Sequence, residues 1–472
     1  MPISSLLRRH LDDMAVFFDK SAAINGPTRH YRGQLASYYT RLIPAAASVL
    51  EIGCGSGSLL AALPNRDVTG VDISPRQLDA ARAAVPHGQF HLQAGEELTL
   101  DRTFDVIIIS ETLNYAADVQ ALLTQLKAVS TPYTRLHLNF YNGLWRPFLA
   151  VGSMVGIKAA TPESNWLSPQ DVNNLLDLAG WEVITAQPRL LCPLHIPLIE
   201  PLLNQFLAPL LPWLCLTHFT TARPAGVAVA EDKLPIVTVV VPARNEAGNM
   251  AVMLERIPEM GGGTEIVFVE GGSKDNTWEE IQKIVADPRG RRVLAIQQTG
   301  RGKGNAVREG YAIATGDILM ILDADLTMPP EDLPKFYEAL ASGKAEFANG
   351  CRLVYPMEKQ AMQFFNLCAN KFFGIAFSWL LGQSLKDTLC GTKVLRRSDY
   401  DKIAANRAYF GDFDPFGDFD LLFGASRLNM KIADIPIRYR DRTYGETNIQ
   451  RWKHGLLLFQ MLAFAARKLK FV

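Results

Sequence analysis

Six cysteines in 472 residues, none in a CxxC pair, give this chain little sulfur to build with. Cys54, Cys192, Cys215, Cys351, Cys368 and Cys390 are scattered, which argues against a disulfide framework or a thiolate zinc site and suits a reducing compartment. Histidine is scarce too. His454 is the only one beyond residue 230, so a histidine-built metal centre in the second half is not expected. Excess charge is also absent: 48 Lys and Arg balance 48 Asp and Glu, and overall charge therefore predicts no nucleic-acid partner. No apolar run is long enough to span a bilayer. The nearest, "LLCPLHIPLIEPLLNQFLAPLLPWLCL" at 190–216, is cut by five prolines and reads as core segments of a soluble domain, with a membrane-surface role as the alternative. "MPISSLLRRHLDDM" mixes both charge signs and is no signal peptide. Together these features point to the cytoplasm.

What is present is alternation. Helical patterns at 1–20 and 30–42 lead into the strand-like runs "SVLEIG", "DVTGVDI", "QFHLQAG", "FDVIIIS" and "TRLHLNFY". After a small, polar, proline-bearing stretch ("TARPAGVAVAEDKLP", 221–235) the alternation restarts with "PIVTVVVP", "EIVFVEG", "RVLAIQQ" and "DILMILDAD". Such a chain is too long for one core, and strands separated by helices imply parallel sheets. The expectation is α/β: two doubly wound domains, 1–225 and 236–472, joined by a linker at 226–235. Ligands bind such sheets at the carboxyl ends of their strands, where every motif below falls.

In "VLEIGCGSGSLLAAL" a strand runs into Gly53, Gly55 and Gly57, and a helix follows. Glycines there allow positive φ and close approach of a ligand. A bare GxGxG turn is shared with dinucleotide-binding folds, but Glu51 beside it would repel a pyrophosphate and favour the ammonium of S-adenosylmethionine. Asp72 ends the next strand, placed to accept both ribose hydroxyls of an adenosine. The stretch 45–145 resembles class I methyltransferases. The resemblance implies a Rossmann-like seven-strand sheet holding S-adenosylmethionine across Glu51, Gly53, Gly55 and Asp72. Ala94 stands where many relatives carry an acid against adenine, with Glu96 as the substitute. Methyl transfer to oxygen needs a proton acceptor or an anionic acceptor; Glu111, Tyr115 and His137 are the candidates. Cofactor binding without methyl transfer is the alternative.

In the second half, "DILMILDADLTMPP" (317–330) ends a strand on Asp323 and Asp325. Adjacent like charges stay ionised if a divalent cation neutralises them, and hard oxygen ligands suit Mg²⁺ or Mn²⁺ bridging to phosphates. Asp323 would stand near a sugar nucleotide and, with Asp325, at the metal. Arg301 and Lys303 in "TGRGKGNAVREG" sit at a helix N-terminus that favours anions. "VVVPARNEAGN", "VFVEGGSKDNTW", "DTLCGTKVLRR", "FDPFGDFD" and "RYRDRTYGETNI" complete the set.

Their order resembles family 2 glycosyltransferases of the GT-A fold, particularly dolichyl- or polyprenyl-phosphate sugar synthases, over 235–450. The resemblance implies inverting transfer from a nucleotide-diphosphate sugar, with Pro242, Arg244, Glu246, Glu270 and Asp275 lining the nucleotide pocket. Relatives often show two acids at Glu270-Gly271, a Gln at Thr327, and Ser-Lys at Thr447-Asn448. A lipid-phosphate acceptor needs no base, whereas a hydroxyl of a glycan needs a carboxylate. Asp412, Asp414, Asp418 and Asp420 offer one, Asp420 matching the family's Phe-Asp pattern best, and Arg442 remains as a phosphate-binding cation. From Ile437 to Val472, five Arg and three Lys face one Asp and one Glu, a net of +6. With "GLLLFQMLAFAARKLKFV" this fits a helix at an anionic bilayer; packing on its own domain is the alternative. A nucleotidyltransferase and a non-catalytic membrane-surface protein are the remaining rivals.

Overall fold

The computed structural model describes residues 5–21, 29–155, 161–162, 164–226, 233–355, 364–407, 418–440, 442, 444 and 451–471. The chain divides into two compact units, one reaching to Ala225 and one from Gly226 to Lys470.

In the first unit the helices Ser5–Ser21 and Arg29–Leu42 precede a seven-stranded sheet. Its strands are β1 (Val49–Ile52), β2 (Val68–Asp72), β3 (Gln89–Leu92), β4 (Phe104–Ser110), β5 (Ser130–Tyr141), β6 (Trp181–Arg189) and β7 (Thr217–Pro224). Their order is β3-β2-β1-β4-β5-β7-β6. β1 to β5 pair in parallel, as the alternation predicts, but β7 runs antiparallel to both β5 and β6. β-Branched runs buried on both faces build the centre. Val49, Val106 and Ile108 enter one apolar cluster, while Leu50, Ile52, Ile107 and Ile109 enter the other, as the two-residue period of a strand requires.

Thr221 to Pro224, which open the polar stretch 221–235, are the end of β7 and wholly buried. The small, polar look of "TTARP" hides a strand because its pairing partners lie far away in sequence. The 190–216 segment is not core throughout: Cys192, Ala208 and Cys215 are buried, yet Leu194, Leu198, Leu202, Phe206, Leu210 and Trp213 are exposed. Its prolines stop regular packing, so much of its apolar surface stays outside.

The second sheet comprises β8 (Val237–Ala243), β9 (Thr264–Glu270), β10 (Arg292–Gln297), β11 (Ile318–Ile321), β12 (Phe347–Cys351), β13 (Lys393–Arg396) and β14 (Ile432–Pro436). The order is β10-β9-β8-β11-β13-β12-β14. β13 is antiparallel to its neighbours β11 and β12, so this sheet is also mixed rather than wholly parallel. The order reverses between β8 and β11, the crevice position where open α/β sheets take ligands. The helix Lys303–Ile313 lies close against the sheet because Gly310 has no side chain; a Cβ there would meet Val240 and Val269. That packing delivers Lys303 to the strand ends.

The basic C-terminal stretch forms the helix Arg451–Leu469. Packing on its own domain is what the structure shows: Leu458, Met461, Ala465 and Ala466 are buried, while Leu456 and Phe459 stay exposed. Phe459 packs at a tilt against Phe372 and Phe373 of the helix Phe364–Leu381, on which Ile375 is also exposed. Among the described residues no helix is long and apolar enough to cross a membrane.

Candidate active sites

The glycine turn after β1 opens onto a cavity of about 220 Å³ lined by Glu51, Gly53, Gly55, Asp72, Glu96, Glu111 and Tyr115. Gly53 and Gly57 hold left-handed backbone at φ 71° and 72°. A Cβ on Gly53 would run into Thr112, so the turn closes only with glycine. Glu51 is buried, and its Oε2 has no hydrogen-bond partner. Burial, reinforced by nearby Asp72, pushes its carboxyl well up. A buried, unpaired carboxylate of this kind is stabilised by an incoming cation. Asp72 accepts from Gly55 N (2.8 Å) and Ser74 N (2.9 Å), so it braces the turn as well as facing the cavity. Burial raises its carboxyl too. Glu96, the substitute for Ala94, accepts from Ala117 N at 2.9 Å.

The three proton-acceptor candidates separate on burial. His137 lies inside β5 with Nδ1 2.9 Å from Thr221 Oγ1, and burial lowers it to about 3, so it is neutral and structural. Tyr115 is raised by burial and by Glu111. Glu111 stands on a left-handed residue (φ 62°) and receives the Tyr31 hydroxyl at 2.5 Å. Burial, then Glu111, pushes Tyr31 and Tyr141 well above the usual phenol range. Glu111 is thus an acid ringed by protonated phenols. Tyr31 and Tyr141 were not found from sequence; they lie far from Glu111 along the chain, and no local pattern joins them.

In the second unit, ion pairs and hydrogen bonds join the loops that follow β8, β9 and β11. Lys303 Nζ is 2.5 Å from Asp323 Oδ1. Burial opposes the charge on Asp323, but Lys303, with Arg352 and Lys393 farther off, holds its carboxyl below the ordinary range. Asp325 Oδ2 pairs with Arg442 Nη2 at 2.7 Å, and Oδ1 accepts from Thr327 N (3.1 Å) and Oγ1 (2.8 Å). The turn that allows this puts Leu326 at φ 56°, a strained position for a branched side chain. Arg442 also reaches Glu246 at 3.3 Å. Burial pushes Glu246 up to about 7, against the pull of Arg442 and with the push of Asp325.

The other nucleotide-pocket residues flank this cluster. Pro242 is in β8 beside Val269 of β9, and Arg244 is exposed just past the strand. Glu270 ends β9 and accepts from Ser273 N at 2.5 Å. Asp275 ties the first two loops together through Ala247 N (3.3 Å) and Thr277 N (3.1 Å), and receives Tyr444 O–H at 3.4 Å. Arg440 N donates to Thr327 O at 2.9 Å, so the arginine-rich stretch crosses the aspartate turn.

"DTLCGTK" has a role that sequence did not define. A Cβ on Gly391 would collide with both Asp323 Oδ2 and Lys303 Nζ. The loop is anchored by buried Asp387, which takes a two-pronged contact from Arg352 at 2.7 and 2.9 Å. Asp420 pairs with Arg407 (3.3 Å) and Arg308 (3.6 Å). Asp418 begins the helix Asp418–Arg427, and its side chain, like Asp412, Asp414, Thr447 and Asn448, lies outside the described residues.

Residues 28–186 match the family model "Methyltransferase domain", and residues 238–404 match "Glycosyl transferase family 2". The first unit carries a methyltransferase domain and the second a family 2 glycosyltransferase domain. The second half is 28% identical to a dolichol-phosphate mannosyltransferase of Pyrococcus furiosus, over 50% of this chain and 64% of that protein. It is 28% identical to an undecaprenyl-phosphate 4-deoxy-4-formamido-L-arabinose transferase of Pectobacterium carotovorum, over 49% and 68%. The chain therefore spans about two thirds of the length of these curated relatives. Among solved structures, a Thermotoga maritima S-adenosylmethionine-dependent methyltransferase aligns with TM-score 0.35 and 18% identity, covering 46% of this chain and 99% of its own. Glucosyl-3-phosphoglycerate synthase of Mycobacterium tuberculosis aligns with TM-score 0.36 and 19% identity, covering 50% and 80%.

Proposed function

We propose that the second unit is an inverting glycosyltransferase that moves a sugar from a nucleotide-diphosphate donor to a polyprenyl phosphate. The observation that carries this reading is the cluster Lys303–Asp323 and Asp325–Arg442 beside Glu246, at the crevice between β8 and β11. Carboxylate and hydroxyl oxygens of Asp323, Asp325 and Thr327 form a hard donor set that fits Mg²⁺ or Mn²⁺. A divalent cation bound there would act as a Lewis acid and offset charge on the leaving diphosphate. Pro242, Arg244, Glu246, Glu270 and Asp275 surround the nucleotide; Lys303 and Arg442 hold phosphate oxygens. An acceptor phosphate oxygen attacks the anomeric carbon, the bond to the donor diphosphate breaks, and the configuration inverts.

Two features favour lipid phosphate over a glycan hydroxyl. The relatives' names specify dolichol phosphate and undecaprenyl phosphate. Asp420 is neutralised by Arg308 and Arg407, which makes it a poor base but leaves cations for an anionic acceptor. The exposed Ile375, Leu456 and Phe459, with the basic residues of 437–472, would rest on an anionic bilayer surface.

The first unit we read as an S-adenosylmethionine-binding methyltransferase. Its support is Glu51, whose unpaired oxygen suits an ammonium, between Gly53, Gly55, Gly57 and Asp72. S-adenosylmethionine would supply an activated methyl group, and Glu111 is placed to take a proton from an acceptor hydroxyl. The carboxyl pKa values at Glu51 and Asp72 are both raised, so a cationic ligand is held by restoring their ionisation.

The test is transfer from a panel of nucleotide sugars to a short polyprenyl phosphate, with Mn²⁺ or excess chelator. Wild type should form glycosyl phospholipid and release nucleoside diphosphate, with loss of at least about a hundredfold in Asp325→Asn. Release of pyrophosphate would identify a nucleotidyltransferase instead, and undiminished turnover in chelator would remove the metal.

A further inference from the structure

A second hollow in the first unit lies apart from the glycine-turn cavity. It has a volume of about 730 Å³ and is lined by Arg29, Arg41, buried Arg189 and Glu200. Three ligating side chains meet there. His30 Nε2 is 3.0 Å and His195 Nδ1 3.2 Å from the same oxygen, Glu200 Oε2, and all three atoms lie within 4.8 Å of one another. The two imidazole rings are 4.7 Å apart at their centroids.

The surroundings fit a ligand more than a pair of ordinary ion pairs. His30 Nε2 is shielded from solvent and makes no well-aligned hydrogen bond despite its nearness to Glu200. Gln34, one helical turn after His30 on the same face of Arg29–Leu42, donates to the other oxygen of Glu200. That contact leaves Oε2 directed at the two rings. Two imidazoles and one carboxylate are the donor set of three-ligand transition-metal sites that keep an open position. Mg²⁺ is a poor match for imidazole nitrogen.

We propose that His30, His195 and Glu200 bind a divalent first-row transition ion such as Zn²⁺, with its open position facing the arginine-lined hollow. Arg29 and Arg41 among the lining residues favour anions, so a phosphate- or carboxylate-bearing molecule is the class of ligand that would complete the coordination. This site belongs to the first unit, whereas the oxygen cluster at Asp323 and Asp325 belongs to the second.

The test is Co²⁺ titration of the chelator-stripped full chain in saturating Mg²⁺, which fills the oxygen sites and leaves imidazole free. One Co²⁺ per chain should bind, with visible ligand-field absorption. His30→Ala with His195→Ala should abolish that binding while leaving the circular dichroism melt intact. Gln34→Leu, which removes only the support of Glu200, should weaken it about 10- to 100-fold. Inorganic phosphate should shift the absorption band of the wild-type complex. Absence of Co²⁺ binding under these conditions, or equal binding in the double variant, would overturn the proposal. Should the double variant not fold, Gln34→Leu decides: an unchanged affinity also overturns it.

Discussion

At Gly391 a single hydrogen atom in place of a methyl group sets the spacing of a charged pair. Because a Cβ there would strike both Asp323 and Lys303, Gly391→Ala should push the two apart while the anchor Asp387–Arg352 keeps the loop folded. Donor binding by calorimetry is expected to fall by about tenfold or more, about 1.4 kcal/mol, with little change in melting temperature. An unchanged affinity would show that the loop yields. Residue by residue, the charged members of the two clusters were legible in the sequence. Asp323 and Asp325 stand out because like charges after an apolar strand need a reason, and Glu51 because an acid beside a glycine turn does. The residues that orient them were not. Tyr31 reaches Glu111 from the helix Arg29–Leu42, and His30 meets His195 across 165 positions. Contacts of that separation leave no periodic trace.

Elements carry their own acid sensitivity. β5 and β7 bury two neutral histidines: His137 lowered to about 3 and His218, by burial, to about 4. Both have folded values below the ordinary 6.5, so the stability they give is full above pH 6.5 and drains away as pH falls toward 4. Each should cost on the order of a few kcal/mol at pH 4. Thermal melts followed by near-ultraviolet circular dichroism should show the first unit losing stability over that window, with a shallower slope in His137→Asn. Equal slopes would place the acid sensitivity elsewhere. Strand positions were readable from β-branched runs, whereas strand direction was not. β7 and β13 run against their neighbours, and "THFTTARP" offers no hydrophobic signal because its burial comes from lying between β5 and β6. The proline-cut 190–216 segment misled for the opposite reason: apolar composition alone does not say that a partner surface exists for it.

For the molecule as a whole, the proposed S-adenosylmethionine and nucleotide-sugar sites, one in each compact unit, predict separable ligand responses. Glu51→Gln should remove the rise in melting temperature caused by S-adenosylmethionine and leave stabilisation by nucleotide sugar with Mn²⁺ intact; Asp325→Asn should do the reverse. Loss of both responses in either variant would show that the units do not hold their ligands independently. Within the second unit, Asp323 and Asp325 each hold a resident cation, Lys303 and Arg442. On the reading above, these side chains act as built-in placeholders. Lys303 and Arg442 would swing from carboxylate to donor phosphate as the divalent ion takes over the aspartates, so total charge in the crevice hardly changes. Neither newcomer gains its full set of contacts alone. Metal and sugar donor should therefore enter as partners, each raising the other's affinity by the same factor.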